Sequence, residues 1–578
     1  MPHQRHWWKE GVVYQIYPRS FLDSNGDGEG DIPGITAKLD YLKHLGVDIL
    51  WISPFFESPQ KDNGYDISDF KNVHAPFGTV ADVEDLIKGC HDRGMKILFD
   101  LVINHTSSEH EWFRQSRSSK TNPYRDYYIW RPAKYIDGVR HPPNNWRAVF
   151  GGSCWEWDEV TEEYYLHYYV KEQPDVNWEN PKLRQALYDD AIKFWLDKGC
   201  DGFRVDTCNK YSKFTDFPDA EVIEPDAPYQ NAIKFLTNGP RLHEFLREMY
   251  DETYAKYDCM TIGELGSTPL IQDVLKFVAA KERKFNMVIQ FELSRLDHGP
   301  AGSRFHLMTH EWKLSQFKEI TARYQRLTEC QFDAWGVTYL ENHDQGRSVP
   351  RYGSDKPEHR VNSAKMLATF LLTVSGTPIM YQGEELGMIN CPKEWEIEDE
   401  YKDVATINQW AEMKATAAAT NDTKLLVDGK RGIQQTARDH ARTPMQWNDD
   451  KNAGFSTAEN TWMRAMDSYK EINVAKQQGV DSSPLEHYRR LLALRKEHKD
   501  VFVYGHFEPS IDENNDHTYI YLKRSEDGSK KTVVALNFSD QIQIFQAPEG
   551  LTLIESLKFE DGGRKGVLGP FEAQVYMT

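Results

Sequence analysis

The chain has 578 residues, with 69 Lys or Arg against 89 Asp or Glu, which gives a formal net charge of −20 at pH 7. This length exceeds what one hydrophobic core usually organises, so we expect a large main domain with at least one smaller module. The acidic balance disfavours nucleic acid and other polyanions as partners, and a neutral small-molecule ligand fits better.

Targeting signals and cysteine spacing bear on where the protein works. The N-terminus, MPHQRHWWKEGVVYQIYPRS, is too polar for a secretory signal, and no run of 18 apolar residues occurs. Seven cysteines, scattered from Cys90 to Cys391, lack CxxC pairs and disulfide-dense spacing. We therefore expect a cytoplasmic protein with no membrane contact and reduced core cysteines. Its oligomeric state stays open between monomer and homodimer.

Eight short apolar runs alternate with longer helical patterns, as is typical of parallel strands joined by helical crossovers. The runs are VVYQIYP, DILWISPF, ILFDLVINH, GFRVD, MTIGEL, NMVIQFE, GVTYLENHD and IMYQGEELG. Eight such units favour a closed (β/α)8 TIM barrel, an α/β fold, over an open doubly wound sheet.

Three segments depart from this alternation. Residues 106–178, rich in Trp, Tyr, Asn and Pro, are far too long for an ordinary loop and predict a subdomain inserted after the third strand, above the barrel mouth. Residues 391–447 look like a second irregular stretch, a further flap over the site. Short alternating strands follow from residue 501. The predicted domains are a barrel over 1–105 and 179–500, the inserted subdomain over 106–178, and a C-terminal antiparallel β-sandwich over 501–578.

Charged and polar residues stand at the ends of the predicted strands. In a barrel, active sites form at the C-terminal ends of the strands, so these side chains would meet at one mouth. They are Asp100, Asn104, His105, Arg204, Asp206, Glu264, His343 and Asp344. A single strand-end His or Asp is usually a capping or core group, but so many at one mouth indicate an active site.

Four ordered motifs carry a family resemblance: DLVINH at 100–105, GFRVDT at 202–207, GEL at 263–265 and ENHD at 341–344. With them the chain resembles the α-amylase superfamily, glycoside hydrolase family 13. GYD at 64–66, QPDVNW at 173–178 and RDHARTPMQW at 438–447 are similar to its oligo-1,6-glucosidase and fungal maltase branch. The resemblance spans nearly the whole chain and implies a retaining α-glucosidase.

The resemblance implies that Asp206 is the nucleophile, Glu264 the general acid/base and Asp344 a third carboxylate that binds sugar hydroxyls. A retaining glycosidase needs two carboxyl groups about 5 to 5.5 Å apart, one ionised to attack and one protonated to release the leaving group. Burial and neighbouring carboxylates would raise the pKa of Glu264, and Arg204 would keep Asp206 ionised.

By the same resemblance, further side chains would hold the terminal glucose in a blind pocket. Asp62 and Arg442 would close it, with Arg438 as an alternative to Arg442, and Tyr65 would stack on the sugar ring. The remaining expected substrate contacts are His105, Phe150, Gln173, Arg204, Thr207 and His343. Thr207 follows the nucleophile, where this branch carries Thr in maltases and Val in isomaltases, so a preference for α-1,4 linkages is expected.

DSNGDGEGD at 23–31 places oxygen-bearing residues at alternate positions with glycines between them, which suits Ca²⁺. Its twelfth position is Gly34 rather than a bidentate Glu, so the loop is not an EF-hand. Similar enzymes carry a structural Ca²⁺ there; the expected ligands are Asp23, Asn25, Asp27, Asp31 and the carbonyl of Glu29. A Gly/Asp turn without metal is the alternative. No P-loop or GxGxxG pattern indicates an organic cofactor.

The leading hypothesis is an exo-acting hydrolase of maltose and short malto-oligosaccharides, with sucrose as a further candidate substrate. An α-1,6-preferring isomaltase, a transglucosylase or a sucrose isomerase would use the same glucosyl-enzyme, and an endo-amylase is a remaining alternative. The intact carboxylates disfavour a silent relative, such as a transporter heavy chain or a sugar-binding regulator. Leu265, where Val is common, and Gly346, where Pro is common, depart from the branch pattern near the leaving-group site.

Overall fold

The computed structural model describes residues 3–299, 302–329, 332–509, 515–556 and 565–578. Its main sheet has eight parallel strands, labelled β1 to β8 in chain order. They are β1 Val13–Ile16, β2 Ile49–Ile52, β3 Lys96–Leu101, β4 Gly202–Val205, β5 Met260–Leu265, β6 Met287–Gln290, β7 Val337–Thr338 and β8 Thr377–Tyr381. Hydrogen bonds join them in the order β6–β5–β4–β3–β2–β1–β8–β7, a nearly closed barrel. The eight predicted strands and the predicted α/β barrel are confirmed.

The barrel strands are buried on both faces. Every residue of β1, β2, β4, β5, β6 and β8 is buried, as expected where helices cover one face and the barrel interior the other. At the seam between β6 and β7, the Tyr339 hydroxyl donates to the Gln290 carbonyl at 2.7 Å. The side chains at the strand ends therefore face one common mouth.

Helices cover the barrel and connect its strands. Longer ones are Ile32–Ala37, Leu39–Leu45, Val80–Asp92, Pro181–Leu187, Leu242–Glu252, Ile271–Val278, Leu314–Gln325, Ser348–Tyr352, Arg360–Thr373 and Pro484–Glu497. Shorter ones are Trp7–Glu10, Phe194–Asp197, Ile233–Leu236, Ile397–Glu400, Val474–Gln477 and Lys499–Phe502. Local sequence sets their starts; Thr79 and Asp82, for example, form a reciprocal capping box. Within the described ranges, no helix is long and apolar enough to cross a membrane.

Residues 106–178 fold into small elements of their own. Helix Glu111–Ser118 precedes a three-stranded antiparallel sheet and a hairpin. The sheet contains Trp130–Arg131, Trp155–Asp158 and Glu163–Leu166, and the hairpin contains Lys134–Ile136 and Val139–His141. Trp146 and Trp155 form a local core with Phe217 and Leu236 from the connection after β4. Two long β-to-α connections thus pack together above the barrel, while the exact domain boundaries stay predictions.

The stretch 391–447 differs from expectation. It contains two long helices, Val404–Thr420 and Thr423–Thr436, whose N-termini are capped by the side chains of Asp403 and Asp422. The predicted irregular structure was therefore wrong. The first helix is rich in Ala, which has the highest intrinsic helix propensity, and its polar residues lie on a partly exposed surface.

The C-terminal part is an antiparallel sheet, as predicted. Its strands are β9 His506–Glu508, β10 Thr518–Arg524, β11 Lys531–Asn537, β12 Thr552–Ser556 and β13 Ala573–Met577, in the order β9–β10–β11–β13–β12. A second, two-stranded ladder pairs Gln543–Ile544 with Val567–Leu568. Six cysteines lie in the described ranges, where all are free thiols and all but Cys259 are buried; Cys330 lies outside them.

Candidate active site

The two predicted catalytic carboxyls share one guanidinium. Arg204, in β4, directs Nη1 to Asp206 Oδ1 at 2.7 Å and to Asp100 Oδ1 at 2.7 Å. Its Nη2 lies 3.0 Å from Oε1 of Glu264, in β5. Because the guanidinium is planar and always charged, it fixes three carboxyl groups around one cation.

Thr207 contacts both carboxyls of the pair. Its main-chain N–H donates to Glu264 Oε2 at 2.8 Å, and its Oγ1 donates to Asp206 Oδ2 at 3.2 Å. Its φ of +44° lies in the left-handed region, which is unfavourable for a β-branched residue. Strain of this kind persists where the surrounding structure enforces it, often at functional sites.

The environment separates the two carboxyls by their pKa values. Burial raises the pKa of Glu264 to about 7, and Asp206 and Asp344 add to the rise while Arg204 opposes it. Burial also raises the pKa of Asp206, but Arg204 and a hydrogen bond from Glu264 act to lower it. Glu264 thus takes up a proton near pH 7, while the contact with Arg204 favours the ionised form of Asp206.

Asp344 is held in the ionised state by two arginines. Arg438 Nε donates to Asp344 Oδ1 at 2.7 Å, and Arg442 Nη2 lies 3.2 Å from the same oxygen. Burial alone would raise the pKa of Asp344, but Arg438, His343 and Arg442 outweigh it and hold the pKa well below its usual range. This carboxylate stays charged at every pH at which the enzyme would work.

Asp62 and Gln173 form one closed end of the site. Gln173 Nε2 donates to Asp62 Oδ2 at 3.1 Å, and both residues are almost fully buried. Arg438 Nη1 lies 3.4 Å from Asp62 Oδ1. Burial raises the pKa of Asp62 to about 7, with Arg438 opposing the rise.

In this structure Asp62 contacts Arg438, the predicted alternative, rather than Arg442. The two arginines are one helical turn apart and therefore face the same side. Arg442 Nη1 pairs with the buried carboxylate of Asp403 at 2.7 Å, which leaves Arg438 to reach Asp62. Both arginines still contact Asp344, so the predicted position of Arg442 in the site itself stands as a prediction.

Tyr65 and His343 stack against each other inside the site, with ring centroids 5.3 Å apart and planes 5° from parallel. His343 Nε2 lies 2.6 Å from the Tyr65 hydroxyl, which donates to Asp100 Oδ2 at 3.0 Å. His343 Nδ1 lies 2.7 Å from Gln15 Nε2. Burial lowers the pKa of His343 well below its usual range, so the ring is neutral.

His105 also has protein partners. Its Nε2 donates to the main-chain carbonyl of Tyr65 at 3.0 Å, and Nδ1 lies 3.2 Å from Asn104 Nδ2. Burial lowers the pKa of His105 to about 4, so it is neutral near pH 7. The two predicted histidines therefore lie with the other site residues, and their contacts to a sugar stay predictions.

Glu264 and Asp344 line a cavity of about 250 Å³. Phe150, from the inserted segment, lines it, and the Arg438 guanidinium carbon lies 5.4 Å from the Phe150 ring centroid. The Phe150 carbonyl accepts a hydrogen bond from Asn408 Nδ2 at 3.3 Å. The inserted segment and helix Val404–Thr420, which contributes Ala405, thus both line the cavity and contact each other.

Comparison with known proteins decides the family. The profile described as "Alpha amylase, catalytic domain" matches residues 15–505. The chain belongs to the α-amylase family. It is 47% identical over 577 residues to an α-glucosidase of Candida albicans, with 99% of each chain covered. It is 47% identical over 582 residues to an oligo-1,6-glucosidase of Parageobacillus thermoglucosidasius, again with 99% of each covered.

Among solved structures, an isomaltulose synthase of Protaminobacter rubrum is similar to this α-amylase family member with a TM-score of 0.91 and 40% identity, over 99% of both chains. A second isomaltulose synthase, from Erwinia rhapontici NX5 and bound to sucrose, has a TM-score of 0.91 and 39% identity over 99% of both chains. Together with the relatives, the match identifies the protein as a glycoside hydrolase.

Some residues of this glycoside hydrolase site were not predicted from the sequence. Asp403 holds Arg442 from the segment predicted to be irregular, and Lys210 and Arg295 line the cavity. The four-residue spacing of Arg438 and Arg442 was a usable signal that both could face Asp344. No local pattern marks Asp403 or Arg295.

Gly346, one of the two departures from the branch pattern, has a steric reason. A Cβ at this position would lie 2.3 Å from the carbonyl oxygen of Gln435, in helix Thr423–Thr436. The helix therefore approaches too closely for any side chain, including a proline ring. The other departure, Leu265, is the buried last residue of β5.

Side-chain oxygens organise the loop predicted to bind Ca²⁺. Asp23 Oδ1 accepts the N–H of Gly26 at 2.7 Å, Asn25 Oδ1 that of Asp27 at 2.9 Å, and Asp27 Oδ1 that of Glu29 at 2.9 Å. Carboxylate and amide oxygens repeated along a tight turn suit a hard cation such as Ca²⁺. The loop conformation is therefore compatible with the predicted ligands.

Two predicted ligands have other partners as well. Asp31 Oδ1 accepts the N–H of Gly34 at 2.6 Å and caps the following helix. The Glu29 carboxylate pairs with Arg19 at 2.8 Å, and the metal contact through the Glu29 carbonyl stays a prediction. In the described part of the chain, no three His, Cys, Asp or Glu side chains cluster as metal ligands. A cation here would therefore depend on Asn25 and main-chain oxygens too.

Proposed function

We propose that the enzyme is a retaining, exo-acting α-glucosidase that releases the non-reducing terminal glucose of maltose and short malto-oligosaccharides, with sucrose as a further substrate to test. The observation that carries the proposal is the pair of carboxyls bridged by Arg204, in which burial raises the pKa of Glu264 to about 7 and Asp206 lies 2.7 Å from the guanidinium. Similarity over the full chain to glucosidases supports it. We further propose that it acts in the cytoplasm as a monomer or homodimer.

Two displacements would transfer the glucosyl group. Asp206 attacks the anomeric carbon, the bond to the leaving oxygen breaks, and Glu264 gives that oxygen its proton. Water then attacks the glucosyl-enzyme, Glu264 takes the water's proton, and Asp206 departs as a carboxylate. Two inversions restore the α configuration.

The arrangement of the carboxyls supports retention over inversion. Inverting glycosidases separate their two carboxyls by about 6.5 to 9.5 Å to admit a water molecule. Here both carboxyls contact Arg204, at 2.7 Å for Asp206 and 3.0 Å for Glu264, and both accept a hydrogen bond from Thr207. Two carboxyls held by the same two residues favour the closer spacing of a retaining enzyme, with Asp206 as the nucleophile.

The permanent charge of Asp344 supports its proposed role. Positive charge develops at the anomeric centre in the transition state, so a fixed carboxylate beside it gains interaction energy as the reaction proceeds. Arg438 and Arg442 hold Asp344 ionised and also orient it. We therefore assign it to binding sugar hydroxyls and to stabilising charge, with no proton transfer.

The closed end of the site supports exo-action. Asp62, Gln173 and Arg438 meet there, and Arg438 also contacts Asp344. Buried polar groups favour a ligand whose hydroxyl groups hydrogen-bond to them in place of water. A pocket closed at one end admits only the terminal sugar of a chain. The non-reducing glucose would bind Asp62 and Arg438, and Tyr65 and the two histidines would line the same end.

We propose an α-1,4 preference on the basis of Thr207. Its hydroxyl contacts Asp206, and the residue lines the cavity in which the leaving sugar would sit. One hydroxyl beside the reacting atoms is worth on the order of 1 kcal/mol, enough for about a fivefold preference. An α-1,6-preferring isomaltase is the alternative.

Sucrose isomerisation is a second candidate function, favoured by the similarity to isomaltulose synthases. It would use the same glucosyl-enzyme, with the released fructose rather than water as acceptor. The partition depends on how long the leaving sugar stays in the cavity and how well water is excluded. Products of a sucrose incubation would distinguish the two functions: glucose plus fructose, or a new disaccharide.

We propose that the loop at 23–31 holds a structural Ca²⁺ through Asp23, Asn25, Asp27, Asp31 and the Glu29 carbonyl. Asx-type hydrogen bonds in the loop support this, because they bend the chain around its own oxygen-bearing side chains. The ion would stabilise the fold and would take no part in the reaction.

The test is glucose release from maltose, isomaltose and sucrose in parallel, with Asp206→Asn as an isosteric control. The proposal expects maltose to be hydrolysed fastest and the control to lose nearly all activity. Maltoheptaose blocked at its non-reducing end should resist the enzyme, because the closed end excludes it. Hydrolysis of the blocked chain would indicate endo-action, and faster hydrolysis of isomaltose would indicate an isomaltase.

A further inference from the structure

The cavity beyond the catalytic pair faces the leaving group. Asp62 and Gln173, at the closed end, do not line it, whereas Glu264 and Thr207 do, and Arg438 contacts both regions. Glu264 is the proposed proton donor to the leaving oxygen, so it marks the boundary between the two sugars. In an enzyme with the proposed function, the cavity is therefore the binding site for the aglycone.

The charge of this cavity is opposite to that of the whole protein. The chain carries a net charge of −20. Among the described lining residues, the acidic side chains are Glu264 and Asp344. The cationic ones are Arg147, Lys210, Arg295, Arg304 and Arg438. A concave surface with an excess of one charge concentrates ligands of the other sign.

Three of these cations are paired. Arg147 lies 2.5 Å from Glu224, Arg304 lies 2.7 Å from Glu412, and Arg438 binds Asp344. Lys210 and Arg295 differ, because neither side chain has an ion pair or hydrogen bond with any residue in the described ranges. Lys210 is only 9% exposed, so water compensates its charge poorly.

Lys210, Arg295 and Tyr168 line the same cavity. Lys210 Nζ lies 5.5 Å from the centroid of the Tyr168 ring. Burial lowers the pKa of Lys210, with the carboxyl groups of Glu264 and Asp206 opposing that shift. An anion bound in this cavity would therefore be attracted by both cations.

His306 adds a neutral donor to the same cavity. The Leu307 N–H donates to Gln409 Oε1 at 2.7 Å, which orients the amide so that its Nε2 donates to His306 Nδ1 at 2.8 Å. Burial lowers the pKa of His306 to about 3, so the ring is neutral and its proton is on Nε2. This N–H has no protein acceptor in the described ranges.

A simpler role for the two cations is to offset the catalytic carboxylates. Arg204 already contacts Asp206 and Glu264, and Arg438 contacts Asp344, all at 3.0 Å or less. Lys210 and Arg295 make no direct contact with these carboxylates and are not needed to offset their charge. They are better explained by a ligand that brings its own negative charge.

We propose that Lys210 and Arg295 recognise an anionic group on the leaving part of the substrate, so that the enzyme hydrolyses α-glucosides whose aglycone is a sugar carboxylate or a sugar phosphate. The inference rests on the proposed α-glucosidase function. The same C1–O bond is cleaved, Glu264 protonates the leaving oxygen, water supplies the new hydroxyl, and the anionic group leaves unchanged.

Two matched substrate pairs test this inference. Maltobionate and maltitol are both α-1,4-glucosides of an open-chain sugar, and they differ by a carboxylate against a neutral hydroxymethyl group. Sucrose phosphorylated on O6 of fructose and plain sucrose form the phosphate pair. For each pair the measurement is the ratio of kcat/KM, anionic over neutral, at low and at high salt.

The expected ratio exceeds one for at least one pair at low salt, and the pair that shows it identifies carboxylate or phosphate as the group. In Lys210→Met/Arg295→Met the ratio should fall about tenfold or more, while kcat/KM for the neutral substrates stays within about threefold. The control is Lys88→Met, which removes a positive charge from the exposed side of helix Val80–Asp92. It should change neither the anionic-to-neutral ratio nor the kcat/KM for the neutral substrates.

Three results would overturn the inference: a ratio below one for both pairs, a ratio unaffected by the double variant, or an equal loss of anionic and neutral activity in that variant. The last result would assign the cations to the catalytic carboxylates. Normal hydrolysis of maltitol and sucrose in these cases would leave the α-glucosidase function standing. Failure of the wild-type enzyme on every substrate would reject both proposals.

Discussion

Replacing Arg438 by lysine tests which arginine serves the closed end of the site. Arg438 contacts Asp344 through Nε at 2.7 Å and Nη2 at 2.5 Å, and Asp62 through Nη1 at 3.4 Å. Lysine keeps the charge, but its single ammonium cannot reach both carboxylates. Arg442 contacts Asp344 once, at 3.2 Å, and is held by Asp403 at 2.7 Å.

The size of the effect follows from these contacts. A hydrogen bond to a charged group contributes about 1.5 to 3 kcal/mol, so loss of one from the transition state lowers kcat/KM about tenfold to about a hundredfold. Arg438→Lys should show that loss on maltose with little change in Tm. Arg442→Lys should lower Tm more, because it disturbs the fully buried pair with Asp403, and should lower kcat/KM less.

The assay is steady-state kinetics on maltose together with thermal unfolding of both variants and the wild type. A reversed order, with Arg442→Lys losing more activity and Arg438→Lys losing less than about twofold, would refute the reasoning. It would mean that Arg442 rather than Arg438 completes the site with Asp62 when sugar is bound.

Three further predictions follow from the site and the loop. The kcat/KM for maltose should fall as pH rises through about 7, because Glu264 has to be protonated to release the leaving group. The carboxyl of Asp62 also has a pKa of about 7, so the variant Asp62→Asn is the control. The fall in kcat/KM above pH 7 should persist in this variant, and its disappearance would assign the fall to Asp62. Thr207→Val removes the hydroxyl next to Asp206 but keeps the branched side chain, and should lower the maltose-to-isomaltose rate ratio about fivefold; an unchanged ratio would contradict the linkage argument. Chelation by EDTA should lower Tm without changing the initial rate at 25 °C, and Asp27→Ala should abolish this effect; an equal Tm with and without EDTA in the wild type would count against the ion.

Sequence alone was sufficient for the barrel because its signal is local and repeated. Each strand is a short apolar run, and each ends in polar residues that the barrel topology brings to one mouth. Asp206, Glu264 and Asp344 could be located in this way because each lies at or near the C-terminal end of one of the eight apolar runs in the sequence.

The partners of those residues could not be predicted, because they depend on tertiary contacts between segments far apart in the chain. Arg438 and Arg442 were both visible, but the choice between them is made by Asp403, which lies in a segment without a motif. The helix Val404–Thr420 was missed because the Ala, Thr and Asn content of the segment was interpreted as an irregular flap over the site. The roles proposed for Lys210 and Arg295 could not be predicted, because they depend on the cavity that both residues line together with Tyr168.

The central claim is that Asp206 forms a covalent glucosyl-enzyme and that Glu264 serves both halves of the reaction. The most direct test is proton NMR of the first glucose released from maltose, recorded before the anomers equilibrate. The account predicts α-glucose, the product of two inversions at the same carbon. β-Glucose as the first product would contradict it, since water would then attack directly and Asp206 would act as a base.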